Sequence, residues 1–184
     1  RAHLLDLILK DIYGPQHLIK NAIIPAELVF DNTGFMLPCF DLKQKLQNQL
    51  IMYACDMARG PDGKMWLLDN RTQSPSGSGY ALENRTVMAK VFPELNKNIY
   101  RNRLSPYFNH LQQTVATLGN ISNENPSVVF LTPGPGNETY FEHVYLSSYL
   151  GYTLVQGSDL LVRDGFVWLK SLEGLERVDV IIRR

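Results

Sequence analysis

The chain has 184 residues, 45% of them hydrophobic and 20% charged, a composition that builds a packed core and differs from that of a disordered tail. Lys plus Arg and Asp plus Glu each number 18, so the formal charge is zero and there is no general basic field for nucleic acid or an anionic membrane. No apolar run reaches the ~20 residues of a membrane span, and Cys39 and Cys55, without a CxxC pair, give neither a disulfide framework nor a zinc site.

Leu4, Leu5, Ile8, Leu9 and Ile12 recur at helical spacing, and Gly14-Pro15 stops that helix. Residues 17–30 read as a short helix that Pro25 interrupts, or as a helix then a strand. Residues 31–40 are loop-like, and Asp41 suits the N-cap of a helix over 42–50, with Leu42, Leu46 and Leu50 on one face. Gly60-Pro61-Asp62-Gly63 is a turn between two strand-like runs, 51–58 and 64–71, which makes a β-hairpin. A Ser/Gly/Pro loop covers 72–79. Residues 91–119 are helical in pattern, best over 105–118, where Ser105 caps and Pro106 takes the first position. A polar loop follows at 121–126.

Beyond it, strand and helix alternate. Val128–Thr132 is a fully apolar strand, and Pro133-Gly-Pro-Gly-Asn-Glu138 is a tight loop. Residues 139–150 form a helix ended by Gly151, and 152–155 a strand. Strands at 160–162 and 167–169 flank Arg163-Asp164-Gly165, and a short segment at 172–175 precedes a strand at 178–182. This alternation predicts a small α/β layer of Rossmann-like type. Both ends of the sequence fall within patterned segments, so the chain is expected to be a piece of a longer protein. Its thiols suit the cytoplasm.

Three places can carry chemistry. A loop of residues 60–63 sets Asp56 opposite Leu67, and a loop of 62–63 sets it opposite Asp69. In both registers Asp56, Asp69 and Arg71 share one face, because strand side chains alternate. The two carboxylates, roughly 5–8 Å apart, either seat magnesium or form a solvated face that Arg71 neutralises. In the 72–79 loop, successive N–H groups and hydroxyls at Ser76, Gly77, Ser78 and Gly79 either hold phosphate oxygens or form a flexible linker. The Gly-Lys-Ser/Thr of a P-loop is absent. The 133–138 loop leaves a buried strand and enters a helix, an edge where ligands bind, or it is a structural turn. His143, a turn inside that helix, reads as a packed or surface histidine.

Several strings together resemble one family. They are Tyr13-Gly-Pro-Gln16, Asp69-Asn-Arg-Thr-Gln-Ser-Pro-Ser-Gly77, Gly79-Tyr-Ala-Leu-Glu-Asn-Arg85, Leu131-Thr-Pro-Gly134 with Asn137 and Tyr140-Phe-Glu-His143, Gly157-Ser-Asp-Leu160, and Val178-Asp-Val-Ile-Ile-Arg-Arg184. The whole chain resembles the circularly permuted ATP-grasp family, related to glutathionylspermidine synthase and the eukaryotic type of glutathione synthetase.

The resemblance implies an α/β chain. Residues 1–90 would be part of an ATP-grasp lobe carrying the hairpin, and residues 91–184 a Rossmann-like substrate lobe. A further nucleotide-binding lobe would follow residue 184. It implies a carboxylate–amine ligase that uses ATP and magnesium and works through an acyl phosphate on small-molecule or peptide substrates. In the glutathionylspermidine synthases an Asp and a Glu-x-Asn set hold magnesium. Asp56 and Asp69 match the carboxylates, and Arg71 stands where the Asn would be, a departure because guanidinium binds no cation. Arg71 is then expected on phosphate or acyl phosphate, with Ser76, Gly77, Ser78 and Gly79 beside it. Gly134, Asn137 and Glu142 are expected on substrate. The 184 residues alone are expected to be inactive, and the rival reading is a non-catalytic scaffold of degenerate ATP-grasp fold.

Overall fold

The structure is a computed structural model that describes residues 1–42, 47–98, 102–119 and 126–184. It forms two compact units, Arg1–Pro75 and Ser76–Arg184.

The first unit opens with α1 (Ala2–Ile12), α2 (His17–Lys20) and α3 (Ala26–Phe30), then a single 3-10 turn at Leu37–Cys39. The Asp11 carboxylate accepts the backbone N–H groups of His17 and Leu18, both at 2.9 Å, and so starts α2. Tyr13 stacks on Phe35 at 5.1 Å, and its hydroxyl accepts the Met36 N–H. The helix expected over 42–50 lies partly outside the described residues. Residues 47–50 are not helical: buried Asp6 takes the N–H groups of Gln49 and Leu50 and an ion pair from Lys10 at 2.6 Å. Asp41 is not an N-cap; its backbone is left-handed and its N–H bonds the Tyr13 carbonyl.

Strands β1 (Ala54–Arg59) and β2 (Met65–Arg71) form the hairpin, antiparallel as expected. Near the turn Arg59 faces Met65. A bulge between Asp56 and Met57 then shifts the pairing by one, so that Asp56 faces Asp69 and Ala54 faces Arg71. Neither uniform register holds.

In the second unit, α4 (Ser78–Val91), α5 (Pro93–Asn98) and α6 (Ser105–Leu118) precede β3 (Val128–Leu131), α7 (Tyr140–Leu150) and β4 (Thr153–Val155). The 121–126 loop lies outside the described residues except for Pro126. Then come β5 (Leu160–Arg163), β6 (Phe166–Ser171), β7 (Gly174–Val178) and β8 (Val180–Arg183). The order β4-β3-β8 is a parallel sheet, and β5-β6-β7 is an antiparallel meander.

Alternation along β3 divides the core. Phe130 packs with Phe108, Leu146 and Leu150 of α6 and α7, while Val129 packs with Val155, Val178, Val167 and Leu169 on the meander side. Among the described residues one βαβ unit, β3–α7–β4, is present. The second face of the sheet is covered by strands, where a doubly wound layer would carry helices. Strand β7 replaces the short segment expected at 172–175. Its Leu-Glu-Arg stretch faces water, so it lacks the apolar run that marks a buried strand.

Candidate functional site

The hairpin face in the first unit holds Asp56, Asp69 and Arg71. Arg71 donates to Asp56 Oδ2 twice, from Nε at 3.0 Å and from Nη2 at 2.7 Å, and its Nε lies 3.7 Å from Asp69 Oδ2. The hydrogen bonds from Arg71 to Asp56, and then the charges of Asp56 and Asp69, raise the guanidinium pKa further. All three side chains are exposed. Among the described residues no group of three His, Cys, Asp or Glu comes together in a metal-binding arrangement. A guanidinium lying on one of only two carboxylates does not fit a divalent cation held by this face.

The second unit brings the 76–79 segment and Glu142 together. Helix α4 begins at Ser78, inside the segment expected as loop. Glu142, fully buried on α7, accepts the N–H groups of Gly77 and Gly79 at 2.8 Å each, and Arg184 Nη2 lies 3.2 Å away. The carboxylate fills the positive N-terminal end of α4, as an external anion would. Gly79 permits the approach: a Cβ there would lie 2.8 Å from Glu142 Cγ and 3.2 Å from Leu146 Cγ. The phosphate seat expected at Gly77 and Gly79 is thus filled from within, and Glu142, expected on substrate, is closed off from solvent. No local signal predicts this helix start, since its cap comes from 63 to 65 residues away.

The third place is the loop at the carboxyl end of β3. Gly134, at φ +102° and with a Cβ position only 2.9 Å from Gln156 Oε1, is confined to glycine. Its N–H donates to Thr132 Oγ1 at 3.1 Å, and its carbonyl accepts the Asn137 N–H. Thr132 Oγ1 lies 2.9 Å from His143 Nδ1, and Thr139 Oγ1 lies 3.0 Å from His143 Nε2. Asn137 Oδ1 accepts both the N–H and the hydroxyl of Thr139, at 2.9 and 2.7 Å.

These contacts form a closed circuit with one polarity. The Thr139 hydroxyl donates its single hydrogen bond to Asn137 Oδ1, so toward His143 Thr139 accepts, from Nε2–H. His143 Nδ1 then accepts the Thr132 hydroxyl, which in turn accepts from Gly134. Burial first, then the positive charge of Arg184, lowers the His143 pKa and favours the neutral ring that this circuit requires. Sequence reasoning found Gly134 and Asn137 but passed over His143. Its spacing from Thr139, one helical turn, was the available signal.

The sequence model of the family described as circularly permuted ATP-grasp type 2 matches residues 1–184. An uncharacterised protein of Mycobacterium tuberculosis is 39% identical over 184 residues, which is 100% of this chain and 21% of that protein. One of Synechocystis is 38% identical over 100% of this chain and 38% of its own length, and one of Mycobacterium leprae is 34% identical over 100% and 33%. The chain thus spans about a fifth to two fifths of the curated relatives it matches.

Proposed function

The chain belongs to the circularly permuted ATP-grasp type 2 family, and we propose that it is the substrate-side portion of an ATP-dependent ligase joining a carboxylate to an amine. In that reaction a carboxylate oxygen takes the terminal phosphoryl group of ATP and ADP departs. The amine nitrogen then attacks the acyl carbon, loses a proton and expels phosphate. The substrates are small molecules or peptides bearing the two groups.

The observation that carries this reading is the ordered loop at the carboxyl end of β3. Open α/β sheets take ligands outside the carboxyl ends of their strands, and here Gly134 and Asn137 sit at that edge within a closed hydrogen-bond circuit. These two residues hold substrate. Arg71, whose Nη1 has no partner among the described residues, contacts phosphoryl oxygens. ATP and magnesium are the cofactors of the whole reaction. The hairpin face offers no open seat for the cation and the α4 N-terminus none for phosphate, so this chain supplies the substrate side and the Arg71 contact. The cytoplasm goes with this reading, since both cysteines are free thiols.

A non-catalytic scaffold is the second reading. Its support is that Arg71 and Glu142 occupy the places where metal and phosphate were expected. One experiment separates the two. Full-length protein is given ATP, magnesium and panels of acids and amines, and phosphate release is scored. Release that requires both an acid and an amine supports the ligase. Its absence across the panels, with the protein folded, leaves the scaffold.

A further inference from the structure

Asn137 offers its ligand one of two opposite chemistries, depending on which way its amide points. Oδ1 outward would accept from an amine, whereas Nδ2 outward would donate to a carboxylate or carbonyl. Here Oδ1 is turned inward by two donors of Thr139, and Nδ2 has no partner among the described residues. The Thr139 backbone N–H holds one of these bonds by itself. Its hydroxyl has a single proton, which stays with Asn137 Oδ1 when His143 Nε2, 3.0 Å from that hydroxyl oxygen, carries its own proton and does not compete for it. The histidine ring is 2% exposed and engaged at both nitrogens.

We propose that His143 is the positioning residue of this loop: as its Nε2–H tautomer it fixes Asn137 with the amide N–H₂ toward ligand, so that this edge reads an acceptor oxygen, a carboxylate, and rejects the amine. The inference rests on the substrate-side reading of the loop. His143 touches no ligand on this account. It acts through Thr139 on one end of the loop and through Thr132 on Gly134 at the other.

The test uses the isotope-labelled chain in solution, with acetate and methylammonium as probes. Long-range nitrogen–proton spectra should give His143 protonated at Nε2 and bare at Nδ1 at neutral pH. Acetate should shift the Asn137 side-chain amide resonances, and methylammonium should leave them unmoved. Thr139→Val, which keeps the ring but removes the hydroxyl, should weaken the acetate response roughly two- to tenfold, the worth of one hydrogen bond, and Thr139→Ser should restore it.

An Nδ1–H tautomer, an Asn137 response to methylammonium alone, no response to acetate, or a Thr139→Val response equal to the parent's would each overturn the proposal. Phosphate release in the full-length protein reports separately on the ligase. If release is absent while the tautomer and the acetate response are as expected, the ligase reading fails and the role of His143 stands.

Discussion

Glu142 and Arg184 meet at 3.2 Å with side chains 0% and 1% exposed, an ion pair closed off from solvent at the N-terminal end of α4. Burial of two charges is costly, and the hydrogen bonds from Gly77 and Gly79 are what complete the satisfaction of the carboxylate. Breaking such a pair from one side costs more than replacing both partners by apolar groups. Glu142→Gln should therefore lower stability by about 3–5 kcal/mol, read as a shift in the denaturation midpoint. The double variant Glu142→Gln, Arg184→Met should recover part of that loss. A single variant as stable as the parent would remove the pair from the framework of the second unit.

The tight approach of α4 to α7 leads to a test by paired glycine substitutions. Gly79→Ala places a methyl group 2.8 Å from Glu142 Cγ, and that side chain is pinned by its hydrogen bonds and cannot swing aside. A loss of about 1–3 kcal/mol is expected from overpacking, despite the better helix propensity of alanine. Gly136→Ala meets nothing within 4 Å and should be nearly neutral by the same thermal melt.

His143 gives a pH dependence. Its pKa is lowered in the folded chain, by burial first and then by Arg184, with Glu142 opposing. Between the folded value and the unfolded value of about 6.5, the unfolded chain binds more protons. The stabilisation is therefore fully present above that unfolded value. It is lost as pH falls toward the folded one, at up to about 1.4 kcal/mol per pH unit. Unfolding midpoints from pH 7.5 downward should fall more steeply in the parent than in His143→Gln, which cannot take up the proton.

The hairpin face should not hold a divalent cation while Arg71 lies on Asp56. Millimolar magnesium should leave the Asp56 and Asp69 carboxylate resonances unmoved in the parent. Arg71→Gln, which removes the guanidinium and offers an amide oxygen, should make them respond. A saturable response in the parent that disappears in Asp56→Ala would reinstate the metal seat.

In the full-length protein Arg71→Lys distinguishes phosphoryl contact from simple charge balance. Under the ligase reading, turnover should fall roughly a hundred- to thousandfold, the usual cost of losing an electrostatic contact to the transition state. The melting temperature should hold, because the side chain is exposed. Lysine lacks the planar fork that grips phosphate oxygens at two points. Near-normal turnover would take Arg71 out of the site.

Much of this architecture is written locally in the chain. The alternation Val128-Val-Phe-Leu131 assigns one side chain to the helix layer and the next to the meander, because a strand repeats every two residues. Gly60-Pro61-Asp62-Gly63 compels a reversal, and α7 ends at Gly151 as expected, with that glycine in the left-handed conformation. The three candidate segments were legible for the same reason, as each is a run of a few residues with its own chemistry.

What sits in those segments was decided by residues far away in sequence. The hairpin turn alone left the facing of Asp56 and Asp69 open, and the bulge at Asp56 and Met57 settled it. The start of α4 within a Ser/Gly run depends on a carboxylate 65 residues downstream of Gly77. The tautomer of His143 depends on two hydroxyls delivered from either end of a loop, Thr132 on the strand side and Thr139 at the helix start. Periodicity tells which face of an element is apolar. It carries no information on which polar group of another element arrives at a given donor, and desolvation makes that arrival decisive, since a buried donor must find an acceptor somewhere in the fold.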